Sequence, residues 1–340
     1  MSRALRALLG LERVAILHGA LVLVTAACLR LPGGPPWLLT APANLLLLLT
    51  LPSPLLAPLF LRAGRWLATG SQVAAAVVGL ALFAVPVLED CEWRNEEPAR
   101  DEAGRAVPAR LLVVSFNTGV GLARATRIAE FLEEVEPDLV VLVEVTDRLT
   151  AELTELCGER FPHRALYPGG IDGKAVFSRF PIRDEEWLRL EGGRPSLRVE
   201  LDVDGRALSL IAVHFSPSIG VLDHGAASGR NLDRVSELLD PGGASILAGD
   251  FNTTERSPSH ARLVEAGFVD SFQEAGSGLG RTFPMFGRYF GLPIGRFMRI
   301  DYVWHGAALR AERALVGPDL GSDHLPVVAE LAWDTARSAR

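Results

Sequence analysis

The chain has 340 residues, of which 49% are apolar, and a formal net charge of −7 at pH 7. That length holds one large domain and an accessory segment, and a mean hydropathy of +0.22 is too apolar for an ordinary, wholly soluble protein. Residues 95–340 carry ten more acidic than basic side chains, which argues against a dedicated duplex-nucleic-acid enzyme, because such proteins present a basic surface.

The apolar excess lies at the front. Uncharged stretches run from Val14 to Leu29, from Leu31 to Leu61 and from Trp66 to Leu88. A bilayer span takes about 20 residues, so residues 1–88 are predicted to be an all-α transmembrane region of about three helices, at 14–30, 37–61 and 66–88. Pro52, Pro54 and Pro58 kink or break the second, and Arg13 and Arg30 must snorkel at the ends of the first. Arg3, Arg6 and Arg13 precede the first span, and Arg62 and Arg65 lie between the second and third. Three spans put both clusters on one side, the cytoplasmic one. The expected location is therefore the cell membrane, multi-pass, with the following domain extracytoplasmic. An alternative reads the start as a signal peptide, with Thr25-Ala26-Ala27-Cys28 as an imperfect lipoprotein box.

Residues 89–108 are charged, carry Pro98 and Pro108, and read as a solvated linker. Cys28, Cys91 and Cys157 show no metal-ligand spacing. A Cys91–Cys157 disulfide is compatible with an oxidising compartment.

From residue 109 to 335 the pattern changes to short apolar runs alternating with helical segments near 123–135, 147–157, 229–239 and 257–266. Four runs end in polar groups: LLVVSFN at Asn117, DLVVLVEV with Glu144, LSLIAVHF with His214, and SILAGDFN with Asp250 and Asn252. Arg299-Ile300-Asp301-Tyr302 and Gly321-Ser322-Asp323-His324 follow. Strands that end in Asn, Glu, His and Asp deliver polar side chains to one rim of a sheet, which suits a divalent cation and a phosphate. Glu144 follows a buried run, so its carboxylate must be paired or bind a metal; the plain alternative is a salt bridge with an arginine. Asp250 and Asn252 flank Phe251, so both polar side chains share a side while Phe251 packs inward.

These islands, in this order, resemble the endonuclease/exonuclease/phosphatase superfamily over roughly Arg110 to Trp333. Gly249-Asp250-Phe251-Asn252 and Ser322-Asp323-His324 are the most specific pieces. Gly173 to Pro181 (GKAVFSRFP) and Thr282-Phe283-Pro284 are similar to further family segments. The resemblance implies a two-sheet α/β sandwich flanked by helices, and divalent-metal-dependent hydrolysis of a phosphoester by in-line attack of water. Mg2+ or Mn2+ would be held by Glu144 and Asn117, with Asp323 as a further carboxylate of the metal site. Asp301 and His324 would form a dyad that, with Asp250, activates the water. Asn252 and His214 would contact the phosphoryl oxygens. Whether Asp250 or His324 takes the proton stays open.

Lys174 is the sole lysine, and a catalytic role for it competes with chance; Asp172 beside it is a second-rank candidate. Arg230 and Arg234 read as a solvated helix face. The aromatic, basic segment 285–299 reads equally as a lipid- or base-contacting loop or as a half-buried hairpin. The expected partners are the lipid bilayer and a phosphoester substrate, expected to be a phosphodiester: extracytoplasmic nucleic acid, or a phospholipid or sugar phosphate near the membrane. No protein partner is inferred. The competing reading from another class is a catalytically silent binding or sensor module on the same fold.

Overall fold

In the computed structural model, which describes residues 3–28, 39, 42, 46–83, 110–190, 193–217, 224–284, 296 and 298–334, the chain divides into two compact units. The N-terminal region is helical: α1 (Arg3–Cys28), α2 (Leu46–Thr50), α3 (Ser53–Arg62) and α4 (Trp66–Phe83). The expected second span is divided at Leu51–Pro52. Pro52 caps α3 and Pro54 stands in its first turn, where a missing N–H costs nothing. Among the described residues one helix, Gly10–Cys28, is long and apolar enough to cross a bilayer.

The helices pack through large and small residues alike, with Val22, Leu46 and Phe60 buried. Ala15, Ala68 and Ala75 are buried, and so is Gln72. The Gln72 amide donates to the Ala15 carbonyl at 2.7 Å, and the His18 Nε2–H donates to Leu49 O at 2.8 Å. Leu17, Leu55, Leu59, Leu67 and Leu80 point outward. The predicted linker 89–108, with Cys91, lies outside the described residues, and Cys157 is a free, buried thiol.

The second unit holds twelve strands among its described residues. These are β1 (Arg110–Asn117), β2 (Leu139–Val143), β3 (His163–Tyr167), β4 (Lys174–Ser178), β5 (Ile182–Leu188) and β6 (Ser196–Val203). They continue with β7 (Arg206–His214), β8 (Ser245–Asp250), β9 (Val269–Asp270), β10 (Asp301–His305), β11 (Leu309–Val316) and β12 (Val327–Trp333). Between them run α5 (Ala125–Val135), α6 (Asp147–Cys157), α7 (His224–Glu237), α8 (Pro258–Glu265) and α9 (Ser271–Ala275). The predicted helices thus stand within a few residues of their expected places.

Two six-stranded sheets, ordered β11-β12-β1-β2-β4-β3 and β5-β6-β7-β8-β10-β9, pack face to face. Strand periodicity explains the layers. In β1, Leu111 and Val113 enter the core between the sheets, while Leu112, Val114 and Phe116 pack under helices α5 and α6. In β8, Ile246 and Ala248 join the inter-sheet core, and Leu247 packs on the opposite face with Tyr302 and Trp304 of β10. Strands buried on both faces read as unbroken apolar runs, which is why β1, β2, β7 and β8 were legible in the sequence.

Each sheet contains one parallel pair, β1/β2 and β7/β8, and the rest are antiparallel. The two strands of a parallel pair end at the same rim. The antiparallel neighbours begin there: Lys174 of β4 stands opposite Val143, and Asp301 of β10 opposite Asp250. Gly249 permits the close approach of β8 to β7. Its φ is +136°, and a Cβ there would lie 2.0 Å from the Val213 carbonyl oxygen. Gly249→Ala should therefore destabilise the fold by about 1–3 kcal/mol, a melting-temperature loss of roughly 3–10 °C. An unchanged melting temperature in the full-length chain would refute this account of the β7/β8 contact.

Candidate active site

Every polar residue singled out at a strand end lies at this rim. Asn117 closes β1 and is 1% exposed. Its Nδ2 donates to Asp250 Oδ2 at 3.0 Å and to Glu144 Oε1 at 3.3 Å, while its Oδ1 accepts from the Gly119 amide. One side chain thus joins the two sheets. Glu144 leaves β2 with φ +59° and Asn252 follows β8 with φ +49°. Positive φ is uncommon for a glutamate, and such backbone outliers cluster at functional sites. Burial raises the Glu144 carboxyl above its usual range, against the Asn117 hydrogen bond and the His324 charge that lower it; neighbouring Asp323 raises it further.

Asp250 sits at the centre, 1% exposed. Its Oδ1 accepts from the Asn252 amide at 2.8 Å, and its Oδ2 takes a second bond from Asn252 Nδ2 at 3.2 Å. Asn252 Nδ2 also donates to Phe215 O at 2.9 Å. Phe251 packs inward, edge-on to Phe215 and Tyr302, as the alternation predicts. Burial, and then the Asp301 charge, push the Asp250 carboxyl up to about 7.

His324 Nδ1 donates to Asp301 Oδ2 at 2.8 Å, and its Nε2 lies 3.8 Å from Asp250 Oδ2. Burial by itself lowers the imidazole pKa. The Asp301 and Asp250 carboxylates and the Asp301 hydrogen bond outweigh burial and push it up to about 10. The Phe283 ring lies 4.6 Å from the His324 ring, and Thr282 O accepts from the Leu325 amide, so the Thr-Phe-Pro element braces the histidine. Ser322 Oγ donates to Asn117 O at 2.7 Å, tying this loop to β1. Asp323 is half-buried beside it.

His214 closes β7. Its Nδ1 lies 3.0 Å from Ile171 O, and its Nε2 lies 3.4 Å from Glu144 Oε1 and 3.6 Å from Asp250 Oδ2. Burial, then Arg194 and Lys174, hold it well below its ordinary pKa. Arg194, which the sequence reading did not single out, places its guanidinium Nη1 against both ring nitrogens. It stands alone in the loop before β6, with no motif to mark it. Lys174 is fully buried; its Nζ donates to Asp172 O at 2.9 Å and lies 5.5 Å from the Trp187 ring. Burial brings its pKa down to about 7. The Asp172 side chain is exposed. Arg234 lies 3.6 Å from Glu237 on an exposed face, and Arg230 is exposed, as the plain reading has it. Residues 285–295 and 297 of the aromatic segment lie outside the described residues. Arg299, at its end, is buried in an ion pair with Asp270 at 2.7 Å.

Two groups offer oxygen-rich ligands to a cation. Asp250, Asp301 and His324 bring one ligand atom each within 4.8 Å of one another. There, however, His324 already supplies the positive charge through its bond to Asp301. Glu144, with Asn117 and Asp323 near it, has a raised carboxyl and accepts one hydrogen bond, from Asn117. That hard-oxygen set fits Mg2+ or Mn2+. Asp301 Oδ1 is buried without a hydrogen bond.

The raised values of His324 and Asp250 set the pH dependence of the metal-free fold. A raised folded-state pKa stabilises below the unfolded value and loses that contribution as pH climbs through the folded one. His324 contributes fully below 6.5 and loses this through about 10; Asp250 contributes fully below 3.8 and loses this through about 7. With chelator present, melting temperature should fall from pH 7 to 10, and Asp301→Asn should flatten that fall. Superimposable pH profiles for the two proteins would refute the His324–Asp301 coupling.

Residues 114–324 match the family model described as "Endonuclease/Exonuclease/phosphatase family". The uncharacterized protein YbhP of Escherichia coli strain K12 is 30% identical over 184 residues, covering 50% of this chain and 67% of that protein. An endonuclease/exonuclease/phosphatase from Beutenbergia cavernae DSM 12333 superposes with a TM-score of 0.55 at 23% identity, covering 66% of this chain and 72% of that one. Danio rerio TDP2, in complex with a single-strand DNA product, superposes at 0.52 with 16% identity, covering 66% of this chain and 99% of that one. The chain belongs to the endonuclease/exonuclease/phosphatase family.

Proposed function

We propose that the protein is a membrane-anchored, divalent-metal-dependent phosphodiesterase. The observation that carries this reading is the convergence of Asn117 and Glu144 from one sheet with His214, Asp250 and Asp301 from the other, closed by His324. A silent module would have no need to bury Asp250 and Asp301 side by side, since two such carboxylates cost free energy unless they are used.

In this reading Glu144, Asn117 and Asp323 hold Mg2+ or Mn2+. The ion, when bound, polarises the phosphate and offsets charge on the leaving oxygen. Asp250 and the Asp301–His324 pair orient the attacking water, and its proton passes to the Asp250 carboxylate, since the His324 imidazolium already carries its own. Asp301 fixes the His324 ring through Nδ1, leaving Nε2 turned to Asp250. Asn117 and Asn252 hold the Asp250 carboxylate in place. Asn252 and the His214 side line the place of the phosphoryl oxygens, where fixed donors stabilise developing charge.

The helix Gly10–Cys28 and the outward-facing leucines of the first unit support anchoring in a bilayer. We infer a multi-pass region at residues 1–88, a linker at 89–108 and a catalytic domain at 109–335. With three spans, the arginines at 3, 6, 13, 62 and 65 argue for that domain lying outside the cytoplasm. The substrate is a phosphodiester of a phospholipid, a sugar phosphate or nucleic acid; anchoring favours lipid, and the acidic balance of residues 95–340 counts against duplex nucleic acid.

Full-length protein should cleave bis(4-nitrophenyl) phosphate with Mg2+. Parallel assays on DNA, RNA and phospholipid vesicles then separate the substrate classes. Glu144→Ala and His324→Ala should each lower turnover at least about 1,000-fold with the fold intact, and full activity in either would sink the assignment. Saturating Mg2+ should also raise the melting temperature of the wild type and leave Glu144→Gln unmoved. An equal shift in both would move the ion to another site.

A further inference from the structure

His214 stands between an acceptor and a donor. The Ile171 carbonyl lies 3.0 Å from Nδ1. The Arg194 Nη1, which only donates, lies against both ring nitrogens, so one of them is bare. Glu144 and Asp250 lie farther from Nε2, at 3.4 and 3.6 Å. The ring is engaged by the Ile171 carbonyl and the Arg194 guanidinium, and its free lone pair holds a cation.

That cation is well placed. Arg194 is half-buried at the same rim, whereas Lys174, the other cation on this flank, is sealed beneath it. Arg194 acts electrostatically on both Glu144 and Lys174. A guanidinium has five donors in a planar fork, and His214 engages one arm, which leaves others to meet an anion. The turn that carries Ile171 is pinned in its turn. The Gly169 and Gly170 amides donate to Val145 O, next to Glu144, and Lys174 Nζ donates to Asp172 O. Gly173 has no room for a side chain, since a Cβ would lie 2.1 Å from Val145 O. The geometry points to Arg194 as the catalytic side chain that donates to the phosphoryl oxygens, with His214 as its positioning residue. This rests on the phosphodiesterase reading above and refines the part played by His214 within it.

The test uses the full-length chain in detergent micelles, with two readouts. One is turnover of bis(4-nitrophenyl) phosphate with Mg2+; the other is orthophosphate binding by calorimetry. Arg194→Gln should lose about 100-fold in kcat/KM and bind orthophosphate about tenfold more weakly. Arg194→Lys, which keeps charge but not the fork, should fall between. Guanidinium at sub-denaturing concentration should restore part of the activity of Arg194→Ala, which repair of a merely structural contact would not do. Because His214 acts through Arg194, the double variant His214→Gln/Arg194→Gln should be no worse than Arg194→Gln alone. Unchanged orthophosphate binding by Arg194→Gln, or losses that add fully in the double variant, would overturn the proposal. If wild type shows no turnover, the phosphodiesterase reading fails, and the orthophosphate arm still decides on Arg194.

Discussion

A carboxylate that is 1% exposed has to be held by other groups, and Asp250 is held by side chains from both sheets. Asn117 reaches it from β1, Asn252 from the turn beyond β8, and His324 from the loop before β12. Asp301 stands directly across the ladder. Two buried acids so close favour retaining a proton between them, which lifts Asp250, while the same two acids stabilise the His324 imidazolium. The geometry of the rim and its electrostatics are one problem: the sheets must meet here for the acids to be paired.

The sandwich solves that problem through its two parallel pairs. An antiparallel meander alone would scatter strand ends over both rims. By crossing from β1 to β2 and from β7 to β8, the chain brings four C-terminal strand ends together, and β4 and β10 add their N-terminal ends. Positive φ at Glu144 and Asn252 turns the backbone sharply just where the polar side chains are needed. The strain sits on a scaffold whose strands are apolar on both faces, so packing supplies the stabilisation that the rim does not.

Charge is also sorted across the site. Asp250, Asp301 and the His324 imidazolium occupy one side, and Arg194 and Lys174 stand behind His214 on the other. Lys174 illustrates how burial sets a role. A lone lysine in an arginine-rich chain invites a catalytic reading, yet its Nζ is sealed beneath the rim, bonded to a backbone carbonyl and beside Trp187. It braces a turn and leaves the half-buried arginine to meet an anion.

The apolar runs, the helix positions and the polar residues at strand ends were readable from the chain by itself, because local periodicity and strand burial leave a direct imprint on residue order. Asn117, Glu144, His214, Asp250 and Asn252 stood out for that reason, and Asp301, Asp323 and His324 through motifs that resemble the family's. Which of them touch was decided only by the tertiary structure, since strand pairing joins residues as far apart as Asn117 and Asp250. Arg194 shows the limit. It sits in a short loop with no periodicity, and nothing in its neighbours marks it. Only the closing of β6 and β7 against the turn at Ile171 sets its guanidinium on His214, because a contact between distant segments leaves no local pattern in sequence. The division of the second apolar stretch at Leu51–Pro52 is the opposite case, where the prolines alone announce the break.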